Sequence, residues 1–183
     1  MDAALWIELA VFVVLLGFSG FFSSTETSLF SLSSFQLDRM RSAKHPRIGL
    51  IERLRSEPRR LIVTILIGNE FVNVSASVIS AAMVIHVFGG ENEMINLLVM
   101  VPILLLFGEI TPKVLAIRNN VAFASVEARP IDLFARLITP LREVIRYVSE
   151  FFITLIVGKQ RSQGNLVTKD MLRTLVHDAL GEG

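Results

Sequence analysis

The chain of 183 residues contains no cysteine. That excludes disulfides, thiolate metal sites and cysteine nucleophiles, and leaves the compartment open. Net charge is nearly absent too: 18 Lys and Arg stand against 17 Asp and Glu. No bulk basicity calls for a nucleic-acid partner, and none is expected. No basic stretch precedes the first apolar run, which argues against a cleaved secretory signal. The motifs of hydrolysis are missing as well. There is no G-x-S-x-G elbow and no H-E-x-x-H, and His86, the only histidine near an apolar run, sits at its end. An enzyme is not expected.

What the chain does have is apolar length. It is 52% hydrophobic, with a mean hydropathy of +0.58. Three runs stand out: Leu5–Leu32, Leu61–Phe88 and Met94–Ile117. Each supplies the roughly 20 residues that cross a ~30 Å hydrocarbon layer. The expected fold is an all-α integral membrane protein with three transmembrane helices, at about 5–32, 61–88 and 94–117. Between the first two runs, Arg39, Arg41, Lys44, Arg47, Arg53, Arg55, Arg59 and Arg60 outweigh Asp38, Glu52 and Glu57. The positive-inside rule puts this segment in the cytoplasm, the N-terminus and Gly89–Glu93 outside, and the C-terminus inside. Trp6 suits the outer interface. The chain thus reads as a multi-pass protein of the plasma membrane.

Residues 33–60 read as a belt of two short helices broken at His45-Pro46, with Ser33 or Ser34 as the first cap. Leu37, Met40, Ile48, Ile51 and Leu54 give them apolar edges. Their arginines read as topology determinants that also meet anionic headgroups. The transmembrane domain is placed at 1–125. At 126–158 helical periodicity with a charged face predicts an amphipathic juxtamembrane helix, with Pro140 as its kink point. Residues 159–183 read as a linker and the start of a cytoplasmic helical region, with Thr168 as a cap.

Polar groups inside the runs are the candidates for function, because ionisable residues in a membrane are costly. Ser19, Ser23, Glu26 and Thr27 share a face of the first run. Asn69, Asn73 and Ser77, spaced i, i+4, i+8, share a face of the second. The third holds "FGEITPK", Phe107 to Lys113. Pro112 has no N–H for the Gly108 carbonyl four residues back, so the helix is expected to break there, beside Glu109. At ~1.5 Å per residue these groups fall at one level, near the middle or inner half of the bilayer. The ligand set is hydroxyl, amide, carboxylate and carbonyl oxygen, which suits hard cations such as Mg²⁺, Ca²⁺ or Na⁺. Structural readings stand beside these. Glu109 can pair with Lys113 at i, i+4. Asn69 and Asn73 can join helices, and Glu26 can cap or snorkel. Glu70, about 100° from Asn69, reads as a neighbouring or cytosol-facing acid.

The stretches "SGFFSSTETSLFSLS", "LIGNEFVNVSAS" and "FGEITPKVLA", in this order, resemble the transmembrane domain of the CorB/CorC and cyclin M (CNNM) magnesium transporter family. The tail "VTKDMLRTLVHDALGEG" resembles the helical linker that leads there into a paired CBS domain. The resemblance implies a homodimer of three-span subunits and Mg²⁺ export driven by Na⁺ entry. It implies a metal site at Ser23, Asn69, Asn73, Gly108 and Glu109. Ser19, Glu26, Thr27 and Ser77 remain as a second cation site or as support. Glu26 departs from the animal pattern and is a candidate for a Na⁺ or proton role. Nucleotide would bind only through the CBS pair, before which the chain is read as truncated. A non-transporting Mg²⁺ sensor or scaffold is the alternative.

Overall fold

The computed structural model describes residues 3–89, 94 and 96–157. Most of the loop expected outside, and the linker and helix expected at 159–183, lie outside the described residues. Residues up to Thr139 form one compact unit, and those from Pro140 belong to another.

The described residues form helices joined by short turns: α1 (Ala3–Ser31), α2 (Ser34–Ser42), α3 (Ile48–Ser56), α4 (Pro58–Phe88), α5 (Asn96–Arg118), α6 (Asn120–Leu137) and α7 (Thr139–Val157). Three of them, α1, α4 and α5, are long and apolar enough to cross a membrane. Their 29, 31 and 23 residues give lengths of roughly 44, 47 and 35 Å, against the ~30 Å required. Their ends fall within a turn of those expected. The chain is a membrane protein of all-α class.

Two apolar clusters hold the first unit. Phe12, Ala76 and Met83 pack with Leu15, Ile79 and Leu104 near one end of the long helices. At the other end Leu29, Met40, Ile51, Leu61, Ala124 and Ile131 join α1, the two short helices, α4 and α6. The belt residues Met40, Ile51 and Leu54 are buried, so the apolar edges read from sequence do face the core. A reciprocal capping box opens α2: Gln36 N–H donates to Ser33 Oγ at 3.2 Å, and Ser33 N–H to Gln36 Oε1 at 2.9 Å. Gln36 Nε2 then reaches Asn120 Oδ1 at 2.8 Å, tying the belt to α6.

Two proline effects shape the fold. The single amphipathic helix expected at 126–158 is two helices, α6 beginning already at Asn120 and α7 at Thr139. Pro140, the second residue of α7, has no N–H for the Arg136 carbonyl, so one helix does not run on unbroken and the two meet where a kink was expected. Within α6, Pro130 removes the donor for the carbonyl four residues back, that of Val126. Arg47 supplies it, its Nη1 lying 2.6 Å from the Ser125 carbonyl and 3.1 Å from that of Val126. Arg47, read from sequence as a topology residue, is therefore also a structural clamp. On α7, Arg146 pairs with Glu143 at 2.8 Å and lies over the Tyr147 ring.

Close packing at Gly68 sets the distance of α4 from α1 and α6. The rings of Phe22 and Phe134 meet there, with centroids 5.0 Å apart. A Cβ on Gly68 would lie 2.4 Å from the Phe22 ring and 2.9 Å from that of Phe134. Gly68→Ala is expected to destabilise the protein by about 1–3 kcal/mol through overpacking. Gly17→Ala, where a Cβ meets nothing within 4 Å, should be neutral or stabilising, since Ala is the better helix former. Thermal unfolding in detergent of both variants checks the opposite signs.

Candidate functional site

The third membrane helix changes register before its proline. Residues Asn96–Met100 and Leu104–Ile110 are π-helical, and Thr111–Arg118 is α-helical. Thr111 N–H donates to the Leu106 carbonyl, five residues back. The expected break is thus a π-helical segment that ends beside Pro112, not a gap in the helix. Such wide turns occur often at functional sites. With no N–H at Pro112, the Gly108 carbonyl lacks a donor at the α spacing. It finds one on α1: Ser19 Oγ lies 3.4 Å away. One residue on, Ser23 Oγ donates to the Glu109 carbonyl at 3.2 Å.

Ser19, with 0% exposure, is the hub. Its Oγ is also 2.8 Å from Asn73 Oδ1 and 3.5 Å from Asn69 Oδ1, both on α4. Asn73 Nδ2 donates to Glu109 Oε1 at 3.3 Å. Gly108 permits the approach, since a Cβ there would lie 2.8 Å from Ser19 Oγ. The hydroxyl has one hydrogen and faces three acceptor oxygens. At most one is satisfied. Around Ser19 Oγ three acceptor oxygens thus compete for one hydrogen, beside a carboxylate, in a partly buried place. Among the described residues no group of three or more His, Cys, Asp or Glu could hold a metal. The charge at this site comes from Glu109 alone.

Six of the residues singled out in the sequence therefore meet: Ser19, Ser23, Asn69, Asn73, Gly108 and Glu109. Ser19 stands at the centre of the cluster rather than in support. Three others do not join them. Glu26 pairs with Lys113, Oε2 to Nζ 3.5 Å, so Lys113 serves Glu26 and not Glu109. Ser77 is exposed and its hydroxyl donates back to the Asn73 carbonyl at 2.9 Å. Thr27 is half-buried and makes no hydrogen bond to the cluster. Glu70 is exposed.

Sequence reasoning missed one buried acid. Glu127 of α6 is 6% exposed, with Ser24 Oγ 2.5 Å from its Oε1 and Ser28 Oγ 2.9 Å from its Oε2. Burial pushes its carboxyl above the ordinary carboxylate range, and hydrogen bonds from Ser24, Ser28 and Thr25 oppose that rise. A signal was present: Glu127 interrupts the stripe Ala124, Ala128, Ile131, Ala135, the buried face of α6.

Three apolar crossings with one oxygen-rich cluster between them define a multi-pass membrane protein built around a polar intramembrane site. The family described as "Cyclin M transmembrane N-terminal domain" matches residues 10–183. The chain belongs to that family. It is 33% identical over 169 residues to the "DUF21 domain-containing protein At1g55930, chloroplastic" of Arabidopsis thaliana, covering 92% of this chain and 26% of that protein. It is 27% identical over 165 residues to the "UPF0053 inner membrane protein YfjD" of Escherichia coli (strain K12), covering 88% and 38%. A "UPF0053 protein" of Haemophilus influenzae is 24% identical over 169 residues, covering 92% and 40%. The chain thus spans a quarter to two fifths of the length of these relatives.

Ser19→Ala should leave the Gly108 carbonyl and Asn73 Oδ1 without their shared donor, at a cost of about 1–3 kcal/mol. Ser77→Ala, at an exposed hydroxyl, should stay within about 0.5 kcal/mol of the parent. Denaturation of the two variants side by side in the same detergent checks the difference.

Proposed function

We propose that the protein carries Mg²⁺ across the membrane. The ion is bound between α1, α4 and α5 by oxygens of Ser23, Asn69, Asn73, Gly108 and Glu109, with Ser19 among them. The observation that carries this reading is the surplus of acceptors around Ser19 Oγ. Three oxygens lie 2.8, 3.5 and 3.4 Å from a hydroxyl that can serve one of them. Partly buried acceptors that share one donor are better satisfied by a cation. The Ser19–Asn73 spacing of 2.8 Å suits a small hard ion, and the spacings of 3.4 and 3.5 Å would shorten as Mg²⁺ binds. Octahedral Mg²⁺, with bonds of ~2.0–2.1 Å, sets neighbouring ligand oxygens about 2.9 Å apart. Ca²⁺, at ~2.3–2.6 Å, sets them about 3.3–3.7 Å apart. A site with this many protein oxygens replaces much of the ion's water shell, so Mg²⁺ would cross partly dehydrated.

In this reading the basic belt faces the cytoplasm of a cell-membrane protein, the C-terminus lies on the same side, and two copies assemble as a homodimer. Export is driven by Na⁺ entry, as the family resemblance implies. Nucleotide would act only through a CBS pair beyond this chain.

Glu109→Gln keeps the size and one acceptor of the side chain but removes the charge. It should lower Mg²⁺ flux by roughly tenfold or more, the loss of a charge-assisted contact, while the unfolding temperature stays close to that of the parent. Reconstitution into liposomes with a Mg²⁺-sensitive dye, with and without a Na⁺ gradient, measures it. Unchanged flux in the variant would overturn the role of Glu109. No flux from the parent protein would overturn transport itself.

A further inference from the structure

The part of α1 that carries the cation-site hydroxyls bears a second set of hydroxyls turned towards α6. Between Ser24 and Ser28 lies the Glu127 carboxyl, and its hydrogen-bond partners are hydroxyls alone. Of the charged groups on α6 and the elements packed against it, Arg55, Arg59, Arg118 and Arg129 make no bond to Glu127, and those that follow are engaged elsewhere. Glu26 of α1 pairs with Lys113 of α5. Arg47, before α3, holds the Ser125 and Val126 carbonyls. Arg53 of α3 and Arg136 of α6 itself hold Asp132, and Arg60 of α4 holds Glu57. Beside Glu127 opens a cleft of about 610 Å³ walled by Gly20, Phe21, Pro112, Leu115, Phe123 and Pro130. Ser24 and Glu127 are its only polar lining residues.

Burial among neutral hydroxyls decides the state of this carboxyl. Ser24 Oγ is within 3.1 Å of the Phe21 carbonyl as well as 2.5 Å of Glu127. Ser28 Oγ is within 3.3 Å of the Thr25 carbonyl as well as 2.9 Å of Glu127. Both carbonyls lie within α1 and have backbone N–H groups four residues on, so hydroxyl hydrogens, those of Ser24 and Ser28 with Thr25 beside them, are all that the carboxyl is offered. An ionised carboxylate would claim them and still lie buried without a counter-charge, which is strongly unfavourable. A neutral carboxyl adds a hydrogen to the set and carries no charge.

We propose that Glu127 is a proton-binding site, its carboxyl protonated while α1 and α6 are packed and deprotonated when this part of α1 withdraws. Ser19, Ser23, Ser24 and Ser28 lie within three turns of one helix. A movement of these turns that frees Ser19 and Ser23 from the α5 carbonyls also pulls Ser24 and Ser28 from Glu127. The carboxyl O–H bond then breaks, the proton passes to water, and the solvated carboxylate remains until the helices close and a proton returns. The proton site rests on the surroundings of Glu127 alone. Its link to the cation rests on the transport reading above.

Infrared difference spectra of the whole protein in lipid, taken as pH is raised, test the site directly. The parent should keep the carbonyl band of a protonated carboxylic acid above the pH at which ordinary carboxylates have ionised. Glu127→Gln should lack that band, and Glu127→Asp should retain one. Stability gives a second readout. A group whose folded-state pKa is raised stabilises the fold at low pH, and that stability is lost as pH climbs through the raised value. The unfolding temperature of the parent relative to Glu127→Gln should therefore fall as pH rises from the ordinary carboxylate range. No band in the parent, or the same band in Glu127→Gln, overturns the proton site whatever the transport result. With the band assigned, a pH-sensitive dye in proteoliposomes should report proton release during Mg²⁺ movement in the parent and none in Glu127→Gln. Equal release in both overturns the coupling.

Discussion

A backbone carbonyl that loses its N–H partner inside a membrane must be satisfied another way, by a hydroxyl, a neighbouring helix or a local π-helical turn. This protein meets that constraint at Pro112, where the Gly108 carbonyl is served by Ser19 of the first helix. The contact joins the third crossing to the first at the level where the polar groups of both gather. It also gathers the asparagines of the second crossing, because the same hydroxyl lies within hydrogen-bond distance of Asn69 and Asn73. The same physics recurs outside the three crossings. Pro130 frees the Val126 carbonyl, and the guanidinium of Arg47 fills the gap and fixes the belt to α6.

The π-helical turns before Pro112 bring successive carbonyls of Gly108 and Glu109 within reach of hydroxyls one turn apart on α1. The Glu109 side chain is then held by Asn73. The result is unusual for a membrane interior: around Ser19 three acceptors compete for one hydrogen, and one carboxylate adds its charge. An apolar protein core tolerates such a surplus poorly. A small cation would resolve it, which is why the arrangement supports the proposed cation site better than a purely structural role. Helix glue would be expected to match each acceptor with a donor.

The first helix is the shared part of two polar arrangements. One face of its Ser19–Ser28 stretch meets α4 and α5, and the other meets Glu127 of α6. Several of its hydroxyls also bond back to its own carbonyls, as those of Ser24, Thr25 and Ser28 do. Back-bonding of this kind loosens and bends a helix. A crossing built this way can shift locally without exposing bare polar groups to lipid. Gly68, pressed against Phe22 and Phe134, sets the opposite condition on α4 by holding it close.

How much could be read without coordinates follows from the range of each interaction. The three crossings, their ends and the belt of short helices were legible, because hydrophobic length and charge placement act along the chain. The co-facing of Asn69 and Asn73 was legible from helical periodicity, and the importance of Pro112 from its missing N–H. The partner of each polar group was not. Lys113 turns to Glu26 and not to Glu109, Ser77 points away from the cluster, and Glu127 joins Ser24 and Ser28 across about a hundred residues of chain. Periodicity states which side of a helix a residue occupies, but not which helix lies against that side. Sequence by itself determined the membrane class and the set of oxygen-bearing groups. Only tertiary structure decided that Ser19 is their meeting point and that a second acid is buried behind the same helix. The reason is that hydrogen bonds between helices depend on distances of a few tenths of an ångström, set by packing at residues such as Gly108 and Gly68 that carry no polar side chain of their own.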